Sequence, residues 1–224
     1  MSSEIWNINI SAQDYYKKVE ENVPAHSEVI AVKVLTNTCE DMSADFDELL
    51  EDENNYEIEL DSLYDEFDNF EESSEDKIKT LLSEIQILER KEKDGTITEE
   101  EQKELDAKRT EFQSLNAEVQ SKTKEQSDSI NAKSENISTA IKDISTKEKM
   151  AKNFGEFLIE KGTPLAETEV SSGFFKKLFG NTGADKKEAG DNALKAGNVL
   201  LGKVRNSIAN SSAIERANRK VQTN

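Results

Sequence analysis

Residues 42–70 read MSADFDELLEDENNYEIELDSLYDEFDNF. Apolar residues fall at Met42, Phe46, Leu49, Tyr56, Leu60, Leu63, Phe67 and Phe70, in steps of three and four, and Glu53 is the one seam position filled by a charge. A 3.5-residue apolar repeat marks a helix that packs against another helix along a narrow stripe. The run is also strongly acidic. Between Glu40 and Asp76 stand eighteen Asp and Glu residues and no Lys or Arg, a charge equal to the net −18 of all 224 residues. This stretch is therefore read as a folded helix whose outward faces are negative.

The rest of the composition agrees with long helices. Leu, Ile, Val and Phe together number 51, which is near the ~20 % level below which chains tend to disorder, so a large globular core is not expected. Two prolines, nine glycines and 34 % charged residues suit helices with narrow seams better than a sandwich or a doubly wound sheet. The single cysteine, Cys39, excludes an internal disulfide framework.

Downstream of Phe70 the pattern pauses at Glu71–Asp76, where Ser73 or Ser74 reads as the cap of a new helix. It resumes at Ile78, Leu81, Ile85 and Leu88, then stops at Lys93-Asp94-Gly95. Gly95 suits the left-handed residue that ends a helix, and Thr98 with Glu101 three positions later forms a capping box that opens the next. From Thr98 to about Glu160 apolar residues recur at helical spacing, including Leu105, Phe112, Leu115, Ile130, Ile137, Ile141, Ile144, Phe154 and Leu158. A turn at Gly95 predicts facing residues whose numbers sum to about 190: Phe46 with Ile144, Leu49 with Ile141, Leu60 with Ile130, Ile78 with Phe112, Ile85 with Leu105. In that register Glu53 meets Ile137, and the stretch 121–136 is almost bare of apolar residues, so another helix or a second subunit is needed to complete the seam.

Upstream, Ser11 with Asp14 predicts a capped short helix ending near Pro24. Ser27–Leu35 has the β-branched density of a strand but no second strand to pair with, so it is read as helix. Past Glu160, Gly162, Pro164, Gly173, Gly180 and Gly183 are expected to break the long helix. Residues 173–224 carry ten Lys or Arg against four acids, with a weak helix over Asp185 to about Lys220 and a last dozen residues expected to fray. The expected fold class is all-α: a long, coiled-coil-like antiparallel helical hairpin with short N-terminal helices and a small helical C-terminal unit. The segments are 1–39, 40–160 with the turn at 93–97, and the basic, glycine-punctuated 161–224.

Chemistry-bearing motifs are scarce. Residues 90–101, RKEKDGTITEEE, resemble an EF-hand loop at Glu92, Asp94, Gly95, Ile97 and Glu101, but Arg90 replaces the first carboxylate and Lys91 and Lys93 put positive charge where calcium would lie. Each matching residue is also what a helical hairpin needs. His26 and Cys39 are single of their kinds and carry no flanking nucleophile or zinc motif. Gly180 and Gly183 are too close for a phosphate loop. Carboxylate pairs are so dense between Glu40 and Asp76 that finding one argues nothing. The chain is expected to be no enzyme and to use neither cofactor nor metal.

Two surfaces remain. Phe46, Asp47, Glu48, Glu51, Asp52, Glu57, Tyr64, Asp65, Glu66 and Asp68 are candidates for an acidic, aromatic-bearing face that meets a basic protein partner, self-association being the alternative. Phe174, Phe175, Lys176, Lys177, Leu178 and Phe179 suit either a plug that docks the C-terminal unit near Phe154 and Phe157 or an interfacial contact with a membrane surface. Nucleic acid is not an expected partner of so acidic a chain. The N-terminus lacks a basic region followed by an apolar one, so a cytoplasmic protein is expected, with export without a cleavable signal as the alternative. The function expected is a non-enzymatic scaffold or adaptor. The runner-up is a leaderless exported or membrane-associated bacterial factor that contacts lipid through Phe174–Phe179.

Overall fold

The computed structural model describes Trp6 and residues 10–24, 27–169 and 182–223. Among these residues there are four α-helices and no strand: α1 (Ala12–Asn22), α2 (Glu28–Lys93), α3 (Glu99–Ala166) and α4 (Thr182–Thr223). The fold is all-α and contains the antiparallel hairpin.

Local chemistry explains where the helices begin and end. The Ser11 hydroxyl accepts the Asp14 N–H at 3.1 Å to cap α1. At the hairpin turn Gly95 has φ 66, its N–H bonds to Glu92 O at 3.2 Å, and the Thr96 N–H bonds to Lys91 O at 3.0 Å. These two bonds satisfy the terminal carbonyls of α2 in a Schellman motif, and the left-handed φ requires glycine or a strained substitute. The capping box closes both ways: the Glu101 N–H reaches Thr98 Oγ1 at 3.2 Å, and the Thr98 N–H reaches Glu101 Oε2 at 3.0 Å. Glu101 Oε1 is held by Lys91. Both oxygens of the residue in the last EF-hand position are thus engaged in fastening the hairpin. Thr98→Ala is expected to cost about 1 kcal/mol of stability, read as a shift of the denaturant midpoint at constant slope.

Residues 27–35 belong to α2. Val32, Leu35, Cys39, Met42 and Phe46 are all buried in one core, and this 3.5-residue spacing decides for helix over the β-branched composition. The break expected at Glu71–Asp76 is absent, and α2 runs through it. Ser74 is 8 % exposed and occupies the seam between Phe70 and Ile78, so the phase of the repeat is kept although no apolar side chain marks it. α3 likewise passes Gly162 and Pro164 to end at Ala166, later than expected. Pro164 has no N–H to give the carbonyl of Glu160, so α3 loses one ladder bond there, and it ends two residues on. The tail expected to fray is helical through Thr223.

Two compact units form. One comprises Met1–Tyr56 with Ser138–Arg216, the other Glu57–Ile137 with Ala217–Asn224. Residues of α4 fall in both units.

In the first unit α1 and three long helices share a core of Ala12 and Tyr16, Leu35 to Phe46 of α2, Ala151, Phe154 and Leu158 of α3, and Ala193, Leu200 and Val204 of α4. Phe46 belongs to this core of several helices, which does not include Ile144, the residue the register set opposite it. Small residues let α3 and α4 approach closely. A Cβ on Gly190 would stand 2.1 Å from Ala166 N, and one on Gly162 would stand 2.7 Å from Ala193 Cβ. The glycines expected to punctuate this region therefore serve packing within helices.

In the second unit Leu81, Ile85, Leu88 and Leu105 are buried together, with Ile97, Phe112 and Leu115 against them. Ile85 and Leu105 meet in this cluster as the register predicts. The cross-hairpin ion pairs Glu59–Lys133, Glu84–Lys108 and Lys91–Glu101 keep one register, two residues from the expected one. Asn218 of α4 donates to Ser134 O at 3.0 Å, which brings the third helix to the stretch of α3 poorest in apolar residues.

Candidate partner-binding surface

The ten residues expected to form an acidic face divide by their place on α2. Phe46 is not on the surface at all: it is completely buried, and the Trp6 ring meets it edge-on at 5.8 Å between centroids. Its seam position faces the core, so it is removed from the surface set. Asp47 is exposed but already answered, with the Lys203 ammonium at 2.7 Å and the same ammonium donating to Ser43 O at 2.8 Å. Glu48, Glu51 and Asp52 are exposed in the first unit.

The second unit carries the denser patch. Ten acids stand between Glu57 and Asp76, without a basic residue among them. Glu59 bonds Lys133 at 3.0 Å and Glu75 bonds Lys79 at 2.6 Å. Glu57, Asp61, Asp65, Glu66, Asp68, Glu71, Glu72 and Asp76 are exposed and form no ion pair among the described residues. Helical spacing places Glu57, Asp61, Tyr64, Asp65, Asp68 and Glu72 along one side. Tyr64 is 39 % exposed there, and Ile58, which sequence reasoning passed over, is 67 % exposed in the same acidic run. An off-seam isoleucine in an acidic run was the signal that could have found it. Phe70 points the other way, with the Lys122 ammonium 5.9 Å from its ring centroid.

Phe174, Phe175, Lys176, Lys177, Leu178 and Phe179 lie outside the described residues, as does His26. Cys39 is buried, and that burial, helped by the neighbouring Glu40 charge, pushes its thiol up to about 12. At neutral pH it is a small apolar side chain and no nucleophile. Among the described residues no cluster of three or more His, Cys, Asp or Glu could hold a metal ion, and no helix is long and apolar enough to cross a membrane.

A second polar assembly lies inside the first unit. Glu53 of α2 is fully buried and Glu148 of α3 is 6 % exposed, and between them α4 inserts Ser207 and Ser211. Ser207 Oγ is 2.8 Å from Glu53 Oε1 and 2.9 Å from Glu148 Oε1. Ser211 Oγ is 2.7 Å and 3.1 Å from the same two oxygens. Burial pushes the Glu53 carboxyl above its ordinary range, against hydrogen bonds from Ser211, Ser207 and Asn210, and the Glu148 charge adds to the rise. Glu53 was legible as the charged seam position. Its facing residue was expected to be Ile137, and the layer with Glu148 and the two serines was missed because it needs the third helix.

No known protein family, no curated protein and no solved structure matches the chain. The reading of function therefore rests on these surfaces.

Proposed function

We propose that this protein is a non-enzymatic helical scaffold or adaptor, acting in the cytoplasm, whose acidic face on α2 binds a basic protein partner. The observation that carries the proposal is the run from Glu57 to Asp76, in which eight of ten exposed or half-buried carboxylates form no ion pair among the described residues, interleaved with Tyr64 and Ile58. Like charges crowded along one helix repel one another and cost stability, so a face of this kind is favoured where a partner supplies the opposite charge. Tyr64 and Ile58 offer the apolar contact that charge alone lacks, because aromatic anchors contribute affinity while charged rims mainly contribute rate and specificity.

The test is capture from native lysate by the full chain and by Asp61→Lys/Asp65→Lys/Asp68→Lys, at about 0.05 M and about 0.5 M salt. A basic protein retained by the natural chain at low salt, released at high salt and lost by the variant is the expected result. Identical captures by the two chains would remove the acidic face from the proposal, and recovery with membranes would favour lipid contact instead.

A further inference from the structure

Ser207 and Ser211 each touch the same two carboxylate oxygens, so Glu53 Oε1, Ser207 Oγ, Glu148 Oε1 and Ser211 Oγ form a closed ring of four oxygens with neighbours 2.7 to 3.1 Å apart. All four residues are buried. A serine hydroxyl owns one hydrogen. With both glutamates ionised, two hydrogens must serve four contacts, which leaves two of them as a hydroxyl lone pair against a carboxylate lone pair. A proton on one carboxyl satisfies a third contact, and a proton on each completes the ring.

No neighbouring cation offers another solution. The charge that acts on Glu53 is that of Glu148, and Asn210 of α4 adds only a hydrogen bond. On α3 Lys147 is paired with Asp143 at 2.9 Å and Lys149 is exposed. On α4 Lys203 is bound to Asp47 and Ser43, and Arg205 is exposed and donates to Leu201 O. Two carboxyls buried around the same two hydroxyls favour sharing a proton over ionising together.

We propose that the Glu53–Ser207–Glu148–Ser211 ring is a proton-binding site that retains at least one proton at neutral pH and thereby holds α4 against α2 and α3. The folded protein then binds a proton that the unfolded chain, with glutamate near 4.5, releases. Stability is consequently fully present below about 4.5 and falls as pH rises from there to the ring's own titration point.

Two measurements on the full chain test this. In side-chain carboxyl carbon NMR, one glutamate resonance is expected to titrate above the ordinary glutamate range, and it should vanish in Glu53→Gln, which mimics the protonated carboxyl. In denaturant unfolding followed against pH, the folded-to-unfolded ratio of the natural chain is expected to lose up to about tenfold per pH unit more than that of Glu53→Gln, over the window above 4.5. The variant shares the remaining −17 charge background, so the difference isolates the ring. The proposal is overturned if every carboxyl titrates in its ordinary range, or if the two pH slopes coincide. Stabilisation by calcium or sodium ions near pH about 8 that Glu53→Gln abolishes would assign the ring to a metal cation and equally overturn it.

Discussion

Truncation of Phe46 to alanine is expected to destabilise the protein by about 3–5 kcal/mol, the largest loss from any single side chain considered in this chain. Phe46 is, with Phe154, one of the two largest fully buried side chains among the described residues, packed in the cluster that joins Met42, Phe154 and Leu200 and closed on one edge by Trp6. Removing the ring takes away its transfer energy and leaves a cavity among three helices, whose backbones are too regular to collapse into it. Trp6 is the only tryptophan, so its fluorescence should shift to longer wavelength as its partner is lost. Its indole N–H to Asp45 Oδ2 contact at 2.7 Å is available to anchor it in the variant. Denaturant midpoints give the number, and a loss below about 1 kcal/mol would show that Phe46 is not a core residue. Tyr64→Ala, on the exposed acidic face of the same helix, is expected to lie within about 0.5 kcal/mol of the natural chain.

Replacing Glu53 and Glu148 together by leucine is expected to raise stability by about 1–4 kcal/mol at neutral pH. Both carboxyls sit in an apolar seam and both serines bond the Oε1 atoms, leaving the buried Glu53 Oε2 without a hydrogen bond of normal length, so their desolvation is only partly repaid. Leucine at both positions extends the seam of Met42, Phe46 and Leu60 without interruption. The serine hydroxyls need not be orphaned, because in a helix each can turn to the carbonyl one turn back. The single variants should do less well, since each leaves one carboxyl facing a partner that can no longer share a proton. Chemical unfolding at neutral pH decides the matter, and a double variant less stable than the natural chain would mean that the ring is a net source of stability. A gain would leave specificity as the reason for the layer, because a polar group buried at one seam position fixes register and partner choice at a cost in stability.

The hairpin was legible because its determinants are local. Gly95, Thr98 and Glu101 act on groups within a few residues of themselves, and the Schellman bonds and capping box need no distant partner. The 3.5-residue repeat likewise reports a buried stripe before anything is known of what buries it, and Met42, Leu60, Leu81 and Ile85 are all buried as it requires. What escaped were positions where burial is not announced by an apolar side chain. Ser74 keeps α2 in phase through a stretch that composition reads as a break, and Gly162 and Gly190 look like helix breakers when they are where α3 and α4 touch. The acidic face was legible as a charge, but sorting its members required knowing which side of the helix faces in. That moved Phe46 to the core, gave Asp47 an internal partner and brought Ile58 into view.

Periodicity and capping chemistry are properties of short windows, so helix type, the turn at Gly95 and an approximate register follow from the order of residues alone. The third helix is different in kind. Its seam of Ala193, Ala196, Leu200, Val204, Ser207, Ser211 and Ile214 is built from small and polar residues whose weak pattern acquires meaning only against two other helices. Nothing in the local sequence places Ser207 between Glu53 and Glu148, because those residues are separated by 154 and 59 positions and are brought together by packing alone. Whether a buried carboxyl keeps its proton depends on which groups surround it in space, and that is decided by the tertiary structure.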